Sequence, residues 1–541
     1  MRGRFLGLST TSRLRVLFAA FAFSATLHGA TAASDGAKPI DGGVLNIGLG
    51  TDTAVIDPSI TGNSITAVIT RNIVDSLVGQ AENNDFTPWL AERWEVSEAN
   101  KLYTFYLRKG VTFSDGTPLD AAAVKYNFDR ILDPATTSSY ARSLLGPVDK
   151  VEAVDTQTLV IRYRESFAPL LQGLSLPYLG IQSPTYLKKA ANTTNTVVGS
   201  GPYILSSFAK GSGSKLYRRA DYNWGPGYAA HAGPAHFAEI DFKYLPEASV
   251  RLGALASGQV QAIDAVPPAN FRSVQINSSL QVVTKENPGV SSSFLLNTSK
   301  HPFDDLKVRQ AFQSAIDVAS AVKVAYLGTL KPADNVLAPS TLYYDASLGT
   351  KWGFNADRAN RLLDEAGWSE RDSDSIRRKN GQRLTLRYVY DSALVGDSDV
   401  TLAQAAQYQA RQVGFDLQLD PVDAGEFIAR TNANNYDLVS LNYVRAEPDI
   451  LRTVFHSAFA PPNGANFARI SSLDEKLTKA IGSSDAERKR LYGEIQEEIV
   501  EQAYVVPRYV AAYQLGASKK LLGINWATNA KPNFYDAWLS P

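Results

Sequence analysis

Cysteine is absent from all 541 residues, methionine occurs once and histidine five times. Without thiols there are no disulfides, no thiolate metal sites, no nucleophilic cysteine and no lipid-modified cysteine of the kind that tethers secreted bacterial proteins to a membrane. Five histidines, one of them His28 near the N-terminus, leave little for base-activated hydrolysis, and no G-x-S-x-G elbow occurs. Gly199-Ser200-Gly201 sets a serine between glycines without the spacing of an elbow and reads as a turn leading into a strand. His231 and His236 lie five apart in a Gly/Ala/Pro-rich loop with no neighbouring carboxylate or thiolate to complete a metal shell, so they read as ordinary surface histidines. Gly211 to Lys215 is too short for a phosphate-cradling loop and lacks the Ser/Thr after its lysine, so a hairpin turn is expected. No catalytic residue, metal site or cofactor is expected. An excess of charge of one sign is lacking as well: 54 Lys and Arg face 54 Asp and Glu, which gives no support to binding nucleic acid or a membrane surface.

What is present begins at the N-terminus. Arg2, Arg4, Arg13 and Arg15 precede an apolar run from Val16 to Leu27 and then Ala30-Thr31-Ala32, the pattern of a cleavable secretory leader over residues 1–33. A run of about a dozen residues is too short to span about 30 Å of hydrocarbon. Removing it leaves 50 basic against 54 acidic residues, a net charge of −4. The expected location is the periplasm, with no lipid anchor.

The remaining length asks for two or three domains. Val44 to Leu49 reads as a strand, Asp57-Pro58 as a turn and Ile65 to Val78 as a helix. Tyr103, Phe105 and Leu107 alternate with Thr104, Tyr106 and Arg108 in a half-buried strand. A helix is predicted with Thr117 as its cap and Pro118 at its first position, ending before Pro134; others span Asp305 to Ala319 and Asn355 to Gly367. Leu384 to Tyr390, Asp399 to Val413 and Phe415 to Val422 form a βαβ unit, hence an α/β architecture with more than one sheet. Charge-rich Ser369 to Arg383 is expected to be a surface loop.

Several motifs stand in a fixed order: Leu90-Ala91-Glu92-Arg93-Trp94 with Tyr103 to Leu119, Val198 to Tyr203, Leu296-Asn297-Thr298 with Pro302-Phe303-Asp304-Asp305, and Glu365-Ala366-Gly367-Trp368. Together they resemble the family 5 extracellular solute-binding proteins, the dipeptide/oligopeptide/nickel-binding group that serves ABC importers. The resemblance covers nearly all of the chain after the leader. It implies a type II periplasmic binding protein fold: two lobes joined by hinge strands, plus an inserted extra domain. Placed on this chain, the first lobe takes residues 34–78, 198–290 and 506–541, the inserted domain 79–197 and the second lobe 291–505, with crossings near Pro288 to Ser293 and Val505 to Arg508. The expected partners are a short peptide or other small molecule and the inner-membrane permease subunits with their ATPases, the protein acting as a monomer.

By the same resemblance, Gly62, Asn63 and Ser64 border the ligand from the first lobe, and Asn442, Tyr443, Val444, Arg445 and Glu447 from the second. The family commonly has an aspartate four residues before the proline matching Pro448, as partner for a peptide's α-amino group; here that position is Val444. Either Glu447 substitutes or the ligand lacks a free amino terminus. Arg445, next to the vacant position, suits an anionic group on the ligand, or else pairs with Glu447 or Asp449 as a structural bridge. Peptides and peptide-like solutes lead the expectation; an opine, sugar, sugar phosphate or chelated metal is the alternative, and a periplasmic peptide hydrolase the alternative of another class.

Overall fold

The computed structural model describes residues 38–189 and 195–541, so the segment read as a secretory leader lies outside the described residues. Val44–Leu49, with Leu45, Ile47 and Leu49 turned inward, runs parallel to Glu239–Tyr244 and Ala262–Ile263 at the centre of a seven-stranded sheet. Gly213–Arg218 and Tyr203–Ala209 extend it on one side as a hairpin whose turn is the expected one near Gly211; Ala512–Ser518 and Leu280–Glu286 extend it on the other. A second, six-stranded sheet is ordered Lys331–Pro332, Val505–Val510, Gly289–Leu296, Leu438–Val444, Thr385–Asp391 and Asp416–Val422. Both of its faces are covered. Phe294, Leu296, Leu386 and Tyr388 belong to one core, while Val290, Leu295, Val439 and Val505 belong to the other.

A third sheet is antiparallel, ordered Ala91–Ser97, Leu102–Leu107, Thr158–Tyr163 and Val148–Ala153, and shares its core with the first. Among the described residues no helix is long and apolar enough to cross a membrane.

The βαβ unit is present as Thr385–Asp391, helix Asp397–Val413 and Asp416–Val422, its two strands parallel. Four local expectations are corrected. The first helix spans Ser64–Thr70 rather than reaching Val78, because Asn72 turns its side-chain amide back onto the Val68 and Ile69 carbonyls and the Ile73 carbonyl accepts from Gly201. The second begins at Ala121 under Asp120, whose carboxylate accepts from the Ala123 amide at 2.8 Å, since Thr117 is drawn into a turn by Asp115. The expected Asp305 to Ala319 helix divides at Ile316, where Asp317 caps a new helix, Val318–Tyr326. Residues 369–383 are not a plain loop: three short strands pair there around Arg377, which is buried and bonded to the Trp368 and Val413 carbonyls.

The chain passes from the first sheet to the second at Asn287-Pro288 and returns at Ala511. Val505 to Arg508, where the return was expected, instead lie inside the second sheet, because Val505 and Val506 are buried against Leu295 and Phe294.

Candidate functional site

The Gly62 to Ser64 segment is held by a buried carboxylate. Asp57 accepts from the Ser59 amide and hydroxyl, from Gln182 at 2.8 Å and from Arg130 at 2.8 Å, which fixes the loop before helix Ser64–Thr70. Asn63 caps that helix: its side-chain oxygen accepts from the Ile65 amide at 2.7 Å and the Thr66 amide at 3.3 Å. Gly62 and Ser64 are exposed. A β-carbon at Gly62 would lie 3.3 Å from the Tyr140 ring, and Tyr140 packs edge-on against Tyr178 with centroids 4.8 Å apart.

The second segment is the end of strand Leu438–Val444. Its register sets Val444 opposite Gly289 and Tyr443 opposite Val290, immediately after the chain enters the second sheet. The Arg445 amide donates to the Pro288 carbonyl at 3.0 Å. Gly289 has φ +113°, and a β-carbon there would fall 2.1 Å from the Tyr443 carbonyl oxygen, so the passage requires glycine. Asn442 is exposed, Tyr443 and Val444 are half-buried, and Leu441 and Tyr443 lean on the core around Val439.

Arg445 is 1% exposed, and neither its Nε nor its Nη2 has a hydrogen-bond partner. The two acids that could have bridged it are engaged elsewhere. Glu447, buried, pairs with buried Arg488, and Asp449 accepts both forks of Arg452 at 2.9 and 2.8 Å.

Tyr140 joins the two segments. Burial pushes its hydroxyl pKa up, the Arg445 charge opposes that rise and Tyr443 adds to it, so the residue that packs over Gly62 lies in the electrostatic field of the second segment. The Tyr103 hydroxyl of the third sheet is likewise pushed up by burial and feels both Arg488 and Glu447. Beside it the Ala168 amide donates to the Ile481 carbonyl at 3.0 Å, and Ile481 packs onto the core of the first and third sheets. Tyr140, Tyr178 and Arg488 were not singled out from sequence, and Tyr103 was read there only as a strand residue; nothing in their spacing marks them as site residues, because each is brought there by a different element.

Ser200 is a structural group. Its hydroxyl donates to Asp75 at 2.9 Å, and a β-carbon at Gly199 would lie 2.1 Å from the Ile73 carbonyl oxygen, so the glycines serve a close backbone crossing. His231 and His236, read as ordinary surface side chains, are half-buried and stack with centroids 4.3 Å apart; His231 bonds to buried Asp536 and His236 to Asp41. Among the described residues no three His, Asp or Glu side chains are grouped to hold a metal ion.

Asp75 supplies a pH dependence. Burial lifts its carboxyl from 3.8 to about 6, although Ser200, Trp224 and Tyr222 all donate to it. The folded state therefore holds this proton more tightly than the unfolded chain. The stability contributed by the group is fully present below about pH 4, is lost as pH rises to about 6 and is flat above that, a change of roughly 3 kcal/mol. Asp75→Asn, which keeps the shape and cannot ionise, should lack this slope. Denaturant unfolding of both proteins at pH 4 and pH 7 checks it, and parallel pH profiles would refute it.

Residues 85–460 match the family model for bacterial extracellular solute-binding proteins, family 5. The glutathione-binding protein GsiB of Escherichia coli is 28% identical over 504 residues, 91% of this chain and 93% of that protein. Among solved structures, NikA from Brucella suis in complex with Fe(III)-EDTA superposes with a TM-score of 0.81 at 26% identity, covering 92% of this chain and all of that one. DppA from Helicobacter pylori in complex with the peptide STSA gives 0.76 at 24% identity, over 93% of this chain and 99% of that one. These folds are type II periplasmic binding proteins, the architecture expected from the sequence. The paired sheets, their two strand passages and the match over most of its length place the chain in family 5 of the bacterial extracellular solute-binding proteins.

Proposed function

We propose that the protein is a periplasmic binding protein that captures a peptide or peptide-like solute between its two sheet-centred lobes and delivers it, as a monomer, to the permease and ATPases of an ABC importer. The observation that carries this reading is two sheet-centred bodies joined through two adjacent strand passages, with Arg445 bonded at the first of them. Closure about such passages is hinge bending, which distinguishes loaded from empty protein. The likeness to a glutathione-binding protein favours a peptide-like ligand, and the likeness to a protein holding a carboxylate-rich chelate favours one with acidic groups.

The test is mass spectrometry of the small molecules released when protein purified from periplasm is denatured. Peptides or peptide-like compounds at close to one per chain are expected. A sugar, sugar phosphate or opine in that position would overturn the ligand class. Incubation with a fluorogenic peptide mixture should give no product, since capture ends at stoichiometric occupancy; sustained turnover would make the protein a hydrolase.

A further inference from the structure

We infer that Arg445 is the seat for a carboxylate of the ligand, and that the site makes no corresponding ion pair with a ligand's α-amino group; this rests on the binding-protein reading above. The nitrogens left without partners, Nε and Nη2, are the two that lie side by side on one edge of a guanidinium. That edge matches the two oxygens of a carboxylate, giving parallel charge-assisted hydrogen bonds. The chain shows the same geometry seven residues on, where Arg452 gives its Nε and Nη2 to the two oxygens of Asp449. Among the described residues Arg445 is the buried arginine that leaves both of these atoms unpaired.

A buried cation without a counter-charge is unfavourable by several kcal/mol, so a group held in this state is expected to meet an anion in use. The surroundings fit one. Tyr443 stands two residues before Arg445 at the end of the same strand, and the Arg445 amide is bonded to the Pro288 carbonyl at the passage between the sheets.

Three carboxylates close to the two segments in sequence or structure are already committed. Asp57 holds Arg130, Glu447 holds Arg488 and Asp449 holds Arg452. With Val444 where the family commonly has an acid, the ligand is anchored through its anionic end, and its amino group is free to be acylated or left in water. The substrate class is therefore carboxylated solutes in which the carboxylate, not the ammonium, is required.

The test is a thermal-melting screen of the full chain against short peptides, each supplied as free acid, C-terminal amide and N-acetylated acid, alongside succinate and inorganic phosphate. Free acids should raise the melting temperature, N-acetylation should change this little, and amides without an acidic side chain should fail. Arg445→Met should keep or raise the ligand-free melting temperature while losing on the order of 100-fold or more in affinity for the acids. Arg445→Lys, which keeps the charge and loses the fork, should recover part of it. Equal response to acids and amides, or an undiminished response in Arg445→Met, would overturn the carboxylate seat while leaving the peptide reading standing. Response to succinate or phosphate but to no peptide would keep the seat and remove the peptide reading, and no response to any probe would remove both.

Discussion

Gly289→Ala is expected to destabilise the protein by about 3–5 kcal/mol and to weaken ligand binding at the same time. Two effects add. At φ +113° a residue with a β-carbon sits outside the regions open to it, at about 1–3 kcal/mol. In addition, the new methyl group would stand 2.1 Å from the Tyr443 carbonyl oxygen and 2.8 Å from the Arg445 nitrogen, both backbone atoms that no rotamer change can move. Relief requires the end of strand Leu438–Val444 to shift, breaking the bond from the Arg445 amide to the Pro288 carbonyl and displacing Tyr443 and Arg445 together. Denaturant unfolding reads the first effect and calorimetric titration the second. A variant within about 1 kcal/mol of the parent would show that the passage relaxes without disturbing the site.

Glu447→Gln should be nearly as damaging, at about 3–5 kcal/mol, because it leaves the buried Arg488 guanidinium without its counter-charge. Arg488 is flanked by the Tyr343 and Tyr492 rings, which help to hold it but carry no charge to neutralise it. The double replacement Glu447→Leu with Arg488→Met should recover most of the loss, since it removes both charges and fills the space with apolar groups. Unfolding free energies of the single and double variants check this. Additive losses would mean that the pair contributes through packing with Tyr343 and Tyr492 rather than through charge.

Features encoded within a few residues were readable from the sequence. Asn355 and Gly367 bracket their helix as expected, with Asn355 accepting from the Arg358 amide and Gly367 at φ +84°. The period-two alternation of Tyr103, Phe105 and Leu107 became a strand with those three side chains buried. Where two local signals competed, the reading went wrong. Thr117 and Pro118 look like a helix start, but Asp115 captures Thr117 and the cap passes to Asp120.

The candidate site was legible as two segments, and Arg445 as the residue to watch. Asp449 is taken by Arg452, three residues on in the helix that it opens, a local pairing the sequence could have shown; that Glu447 is taken by Arg488 was not legible, because Arg488 comes from a distant helix. Tyr140, on the short helix Ser139–Leu145, and Tyr103, in the third sheet, could not have been assigned to the site from sequence, since their proximity to Arg445 and Glu447 is purely tertiary.

The two passages between the sheets are themselves bonded, the Asn287 amide donating to the Ala511 carbonyl at 2.8 Å. On one side Glu286 pairs with Ala512, and on the other Ser292 pairs with Tyr509, while between them Gly289 and Ser291 bond to Ala338 and Val336, so the two passages are fastened to each other at one point rather than zipped along their length. On the binding-protein reading proposed above, the expected pivot is this single fastened point, and it places the turning axis beside Pro288 and Ala511. Because the Arg445 amide bonds to Pro288 right at that point, the proposed ligand-binding segment would sit at the pivot, where a swing displaces it least.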